Sequence, residues 1–355
     1  MNTNTQFGGF KMELYDFQEN ERITRRVYHG NAGTKRAYLH DDIVWMVKFP
    51  QNTRNFVGNH LPSYTSSPLS EYIGSHIYDS LGIPVHETVL GRCQGKIVVG
   101  CRDFTVDAEL LDFHGIKNTV DEAVISGSIG SSAHGERLSD VLKVIDNAED
   151  FSGIRDKVKE RFWDMFVTDA FIRNNDRNNG NWGLLVTRYT TKLAPVFDNG
   201  NAFFSKRNFS VTERRLNEAE AVENDIQSGM SFFTDNNDKH IHPFQFIAAM
   251  ENADCNAAIM RFVERLDMNK VEQIIEEIPE KAFSLDVILP VQKEYYKKLL
   301  YTAYKQEILP VAEKLKDQER SSFMGLDQRA EKSRAVHFGK ETSTPSKPKT
   351  NDLDR

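Results

Sequence analysis

Arg173-Asn174-Asn175-Asp176-Arg177-Asn178-Asn179-Gly180-Asn181-Trp182-Gly183-Leu184 is the stretch on which the fold turns, read together with Ala194-Pro195-Val196-Phe197-Asp198-Asn199-Gly200 downstream. Loops dense in Asp and Asn are commonly plain turns, because these side chains cap backbone groups and tolerate left-handed geometry. The order of residues points further: Asp-x-x-x-x-Asn, then a strand pair, then Asp-x-Gly. In phosphoryl transfer one carboxylate orients the attacking hydroxyl and accepts its proton. A second carboxylate and an amide oxygen hold Mg²⁺ against the phosphates. Asp176, Asn181 and Asp198 fit those roles in that order.

Outward from this loop, the pattern divides in two. Val158, Phe162, Met165, Phe166, Asp169, Ala170 and Ile172 recur at helical spacing and predict a helix over 155–173, just ahead of the loop. Leu184-Leu185-Val186 behind it reads as a strand, and amphipathic patterns at 243–265, 268–278 and 291–315 read as helices. The first third is β-rich instead. Ile43-Val44-Trp45-Met46-Val47-Lys48-Phe49 is a β-prone run ended by Pro50. Further strands are expected at 86–90 and 96–101, linked through Gln94-Gly95, and a helix over 70–81 stops at Gly82 and Pro84. The stretch 126–135 is rich in Gly and Ser and reads as a mobile loop. The expected fold is α+β with two lobes and a cleft between them: residues 1–104, β-rich; 105–315, mostly helical; and 316–355, a polar tail expected to be disordered.

The β-rich lobe offers candidates for binding phosphate. His29-Gly30-Asn31-Ala32-Gly33-Thr34-Lys35 lies between two potential strands; Gly30 and Gly33 would let the backbone approach anionic oxygens, with Thr34 and Lys35 as donors. Such turns are also ordinary hairpin connections. Lys48 ends a strand at the presumed cleft, where a point charge suits the phosphates of a nucleotide. A lone strand-end lysine is otherwise simply solvated. Glu71 stands where it can pair with Lys48, or can serve only as an acid near a helix start. Arg177 reads equally as a phosphate contact or a structural arginine.

Taken together, the Gly-rich turn, Val47-Lys48-Phe49-Pro50, Ser70-Glu71-Tyr72-Ile73-Gly74 ahead of Leu81-Gly82-Ile83, Asn175-Asp176 with Asn181, and Phe197-Asp198-Asn199-Gly200 resemble the HipA-like serine/threonine kinases, most of all the shorter, CtkA-type members. The resemblance covers about residues 25 to 310. It implies a two-lobed protein-kinase-like fold, ATP and Mg²⁺ as cofactors, and a protein substrate with a Ser or Thr hydroxyl. It implies Lys48 and Glu71 as the nucleotide-holding pair, Asp176 as catalytic base, Asn181 and Asp198 as Mg²⁺ ligands, and 98–103 as the hinge facing adenine, with Val99 and Cys101 among the nucleotide contacts. Autophosphorylation in the Gly-rich loop, a toxin or effector role and a helix-turn-helix antitoxin partner also follow from the family. Two positions depart from it: Asn178 stands where many related loops carry histidine, and Thr34 stands near the usual phosphorylated serine.

Composition excludes several other classes. The chain has 355 residues, a formal charge of −7, and three cysteines with no CxxC pair, so disulfide scaffolds and zinc fingers are not expected. The acidic balance gives no general footprint for nucleic acid. No apolar run approaches the roughly 18 residues of a spanning helix, and the start lacks a signal-peptide pattern. The expected compartment is the cytoplasm, with export as an effector left open. The Walker spacing, the EF-hand register, HExxH and Gly-x-Ser-x-Gly are all absent. A lipid or small-molecule kinase, and a nucleotide-binding protein without phosphotransfer, remain the competing readings.

Overall fold

The computed structural model describes residues 12, 14–28, 33–54, 56, 61–120 and 136–321. It divides into two compact units, Met1–Val311 and Ala312–Arg355; within the second, the described residues 312–321 are helical. The expected tail beyond 321 and the Gly/Ser stretch 126–135 lie outside the described residues.

Strand β1 (Tyr15–Asp16), β2 (Glu21–Ile23), β3 (Lys35–His40) and β4 (Ile43–Lys48) precede helix α1 (Ser67–Ser80), and β5 (Thr88–Cys93) and β6 (Lys96–Arg102) follow it. They form one six-stranded sheet in the order β1-β5-β6-β4-β3-β2. Period-two alternation sets what each face of β4 does. Trp45 and Val47 point into a cluster with Phe17, Tyr38, Phe49, Cys93 and Val98, and Met46 and Lys48 take the other face. The β5–β6 hairpin turns at Gln94-Gly95, both left-handed (φ 53° and 69°), as the Gly there allows. α1 starts three residues earlier than the spacing predicts because Pro68 fits its first turn.

The rest is mainly helical: β7 (Glu109–Asp112), α2 (Phe113–Lys117), β8 (Glu136–Arg137), α3 (Leu138–Asn147), α4 (Arg155–Ile172), β9 (Gly183–Val186), β10 (Thr191–Leu193), α5 (Phe209–Asn217), α6 (Ala221–Gln227), β11 (Phe233–Thr234), α7 (Pro243–Ala249), α8 (Ala253–Arg265), α9 (Met268–Glu276) and α10 (Pro290–Thr302). The apolar pattern over 243–265 resolves into two helices, since Met250 adopts a left-handed conformation and Asn252 caps the second by accepting from Cys255 N. The pattern over 291–315 likewise passes through a π-turn, Ala303–Ile308.

The fold makes two loops neighbours. α4 is buried almost all round in its second half, as expected of a central helix. It ends where Arg173 turns left-handed (φ 60°) and Asn174 N reaches back to Asp169 O. The loop that follows enters β9, which lies between β10 and β7 in a small antiparallel sheet. The next loop, after β10, runs beside residues 84–86: Val196 N donates to Pro84 O and His86 N to Val196 O. The chain is therefore α+β, with a β-rich first lobe and a helical second one.

Candidate active site

Lys48 stands at the centre of the site. Its ammonium lies 2.7 Å from Glu71 Oε2 and 3.0 Å from Asp198 Oδ1, so three distant segments meet at one nitrogen. Burial alone would push the lysine toward neutrality; the carboxylates of Asp198 and Glu71 override that and hold it well above its usual value. The same logic runs in reverse for Glu71. Burial favours its neutral form, but Lys48 and His86 keep it ionised and well below the carboxylate range. His86 Nε2 sits 2.9 Å from Glu71 Oε1, and that oxygen also accepts from Asn199 N at 3.0 Å.

Lys48 and Asp198 border a cleft of about 810 Å³, within the range of small-molecule sites and large enough for a nucleotide. Lys35, Met46 and Lys48 line it from the sheet; Asp176, Asn181, Phe197 and Asp198 line it from the loops. Asp176, Asn181 and Asp198 thus share a wall, as their spacing suggests. Burial raises the Asp176 carboxyl above its usual value, against the hydrogen bond from Asn178 Nδ2 to Asp176 Oδ1 at 3.1 Å. Asn178 therefore occupies the expected histidine position as a donor to the acid. It also caps the loop, accepting from Gly180 N at 2.9 Å. Asn181 commits its Nδ2 to Asp176 O at 2.8 Å, which leaves its carbonyl oxygen for another partner. Asp198 holds a left-handed backbone (φ 61°), a conformation found at functional sites more than elsewhere.

Other expected contacts fall elsewhere. Gly30 lies outside the described residues. Gly33 and Thr34 line a separate hollow of about 360 Å³ with Arg36, Gln51 and Lys96, while Lys35, among the described residues of that turn, is the one that reaches the cleft. Lys35 pairs in register with Lys48; burial and the Lys48 charge both lower its affinity for a proton. Val99 and Cys101 share the face of Lys48 but are fully buried, with Cys101 Sγ beside Glu71 and His86 under α1. The cleft wall is instead made by Arg102, the last residue of β6, and by Asp103, Phe104 and Thr105 just after it.

Two networks were not legible in the sequence. Asp103, at that wall, accepts from Arg26 Nε, from Tyr28 OH at 2.5 Å and from Thr105 N at 2.8 Å. Arg177 is buried and spends its whole fork inside the protein. It donates to Asp169 at 2.8 and 2.9 Å, to Asn199 Oδ1 at 2.6 Å, and to the carbonyls of Asn181 and Phe197. One guanidinium thus joins α4, the Asp176–Asn181 loop and the Asp198 loop, so the structural reading of Arg177 is the correct one. Its only sequence signal was position, next to Asp176.

No protein-family model matches the chain. It is 37% identical over 273 residues to the serine/threonine-protein kinase CtkA of Helicobacter pylori, covering 76% of this chain and 80% of that protein. The crystal structure of a Helicobacter pylori proinflammatory kinase CtkA superimposes with a TM-score of 0.74 at 34% identity, over 84% of this chain and 97% of that one. HipA from Shewanella oneidensis, in complex with HipB and operator DNA, matches with a TM-score of 0.47 at 12% identity over 81% of this chain and 67% of that one, a likeness too slight to argue from. With a relative this similar over most of both chains, and with the same fold, the chain belongs to the HipA-like family of serine/threonine protein kinases, among its CtkA-type members.

Proposed function

We propose that this kinase transfers the γ-phosphoryl group of ATP, with Mg²⁺, to a serine or threonine hydroxyl of a protein, using Asp176, Lys48, Glu71, Asn181 and Asp198. The observation that carries this reading is the meeting of Lys48 with Glu71 at 2.7 Å and Asp198 at 3.0 Å on the wall of a cleft that also holds Asp176 and Asn181. The donor set suits Mg²⁺: one carboxylate and one amide oxygen, hard ligands with no thiol or imidazole among them. When bound, the ion neutralises charge that builds up between the phosphates.

The chain's own residues do the rest. Lys48, oriented by Glu71, presents a fixed ammonium to the phosphates, and Lys35 adds a second cation on the same face. Asp176 accepts the proton of the acceptor hydroxyl; its raised proton affinity makes it a better base than an exposed aspartate. Asn178 fixes which way that carboxylate faces. Arg102, Asp103, Phe104 and Thr105 flank the space left for the base and ribose. The lobes meet near residue 104 on this reading, where the six-stranded sheet has just ended at Arg102.

Autophosphorylation, and a toxin–antitoxin role with a helix-turn-helix partner, complete the proposal on the strength of the resemblance alone. Phosphate on residues 28–38 after incubation with ATP and Mg²⁺ would support the first; a small helix-turn-helix protein encoded alongside would support the second. The decisive experiment is incubation with labelled ATP and Mg²⁺, alone and with cell lysate, for the wild type and for Asp176→Asn and Asp198→Asn. Labelled protein that disappears in both variants is expected. Undiminished transfer in either variant removes the site assignment, and label confined to lipid favours a lipid kinase.

A further inference from the structure

Arg173, which ends α4, has no part in the chemistry above. Its Nε is buried without a hydrogen-bond partner, and it forms no ion pair among the described residues. Its guanidinium carbon lies 4.8 Å from the centre of the Phe204 ring, and that of Arg207 lies 3.7 Å from the same ring. Lys206 is exposed, its ammonium 5.4 Å from the centre of the Phe56 ring. Arg173, Lys206 and Arg207 surround a hollow of about 210 Å³, with Asn175, Asn201 and Ser205 completing its wall.

The charge of this hollow is unbalanced. None of its lining residues is acidic. The nearby carboxylate of Asp225 is already shared by Arg207 at 2.8 and 2.9 Å, Arg215 at 2.7 and 3.1 Å, and the Tyr295 hydroxyl at 2.5 Å. Burial brings the Arg173 guanidinium down to about 10 from its usual 12.5, with Tyr295 and Asp225 partly opposing the fall and Arg207 adding to it. Two guanidinium groups on one ring repel, and an anion between them would reverse that cost.

Size and position narrow the anion. At about 210 Å³ the hollow holds roughly seven waters' share of liquid volume. That admits a phosphoryl group and its hydration but falls short of the 300 Å³ or so at which nucleotide-sized sites begin. Guanidinium forks and an ammonium match phosphate oxygens, and the Asn175 and Asn201 amides can complete the set. Asn175 directly precedes Asp176 and is held by the Asn201 amide. The Lys206 charge acts on Asp176. The hollow therefore adjoins the position of the acceptor hydroxyl without lining the nucleotide cleft.

We infer that Arg173, Lys206 and Arg207 form a subsite for a phosphate monoester, the headgroup of a phosphoserine or phosphothreonine, beside the acceptor position. This rests on the reading of Asp176 as the base and extends it: the enzyme prefers to phosphorylate hydroxyls near a residue that already carries phosphate, or is itself held in order by one of its own phosphorylated residues.

The test uses the full-length chain and a fluorescein-labelled Ala-Ala-pSer-Ala-Ala peptide, compared with its unphosphorylated twin by fluorescence anisotropy. The phosphopeptide should bind about tenfold more tightly, a modest return for charge-assisted hydrogen bonds from three cations. Excess inorganic phosphate should displace it, and Lys206→Glu, an exposed change checked for folding by thermal melting, should abolish the difference. Equal affinity for the two peptides, failure of phosphate to compete, or an undiminished preference in folded Lys206→Glu would overturn the subsite. If the phosphate belongs to this chain, prior autophosphorylation should block the peptide and phosphatase treatment restore binding; if it belongs to the substrate, both forms bind alike. Binding is read without turnover. A protein that transfers phosphate but shows no preference sinks the subsite alone, and one that shows the preference but transfers nothing sinks only the catalytic reading.

Discussion

Arg177 stands beside Asp176 in sequence yet spends its donors inside the protein, on Asp169 and Asn199. Lysine keeps the charge at this position but has no fork, so it can satisfy one or two of the acceptors that Arg177 serves. Arg177→Lys should lower stability by about 1–3 kcal/mol for each buried acceptor it leaves unpaired. Turnover should fall about a hundredfold as the loops lose their relative placement. Urea denaturation and steady-state kinetics check the two effects, and a variant with wild-type turnover would mean that the loops hold their geometry without this side chain. Asp176, Asn181 and Asp198 were legible as candidates that share one cleft, because each offers a definite functional group at a definite spacing. His86 and Asp103 were not, since a histidine ahead of a strand or an aspartate after one has many uses, and only the folded chain brings the first to Glu71 and the second to Arg26 and Tyr28.

Elements are positioned by close approaches that composition does not reveal. Gly74 lies within α1, where a helical glycine ordinarily invites replacement: Ala is favoured by about 1 kcal/mol. Here a Cβ would stand 2.9 Å from Asn199 Cβ and 3.3 Å from Ile172 Cδ1. Overpacking of that kind costs about 1–3 kcal/mol and should outweigh the gain in propensity. Gly74→Ala is therefore expected to lower the denaturation midpoint and to slow turnover, since Asn199 touches both Glu71 and Arg177. A raised midpoint would show that α1 can move away from the loop at no cost. The main elements were readable because β4 is a compact β-prone run ended by Pro50 and apolar residues recur at helical spacing along α4. The break at Met250 was hidden because the apolar pattern runs on unbroken through a single left-handed residue. Val99 and Cys101, which the family resemblance implies as nucleotide contacts, are buried in this structure; alternation tells which face a strand residue takes, not whether a helix covers that face.

Across the whole molecule, acid sensitivity has an identifiable source. Burial works to raise the proton affinity of Asp225, but Arg207, Arg215 and Tyr295 outweigh it and the carboxyl sits below its usual value. A folded-state value below the unfolded one contributes stability above the unfolded value, near 3.9, and that stability is lost as pH falls through the folded one. The difference in unfolding free energy between wild type and Asp225→Asn should thus be constant above about pH 5 and shrink below about pH 4. A difference unchanged down to pH 2.5 would remove Asp225 from the account. At this scale no helix among the described residues is long and apolar enough to cross a membrane. Net charge, by contrast, said little, because the residues that matter are local pairs of opposite sign.

The contact between Lys48 and Asp198 has a thermodynamic consequence. The ammonium that would greet phosphate and the carboxylate that would greet a cation are bonded to each other, at 3.0 Å. Each ligand must loosen that bond to engage its own partner, so whichever arrives first frees the group the other needs. Such heterotropic linkage is reciprocal: nucleotide should bind more tightly as Mg²⁺ rises, and Mg²⁺ more tightly as nucleotide rises, by the same factor. Direct coordination of Mg²⁺ by the nucleotide adds to this, and Lys48→Met separates the two, since it removes the latch while leaving the Asp198 carboxylate and the nucleotide phosphates to hold the ion. Titrations at several fixed concentrations of each ligand, with a coupling factor equal in wild type and variant as the contrary result, would show whether the resting enzyme stores its readiness as a closed latch.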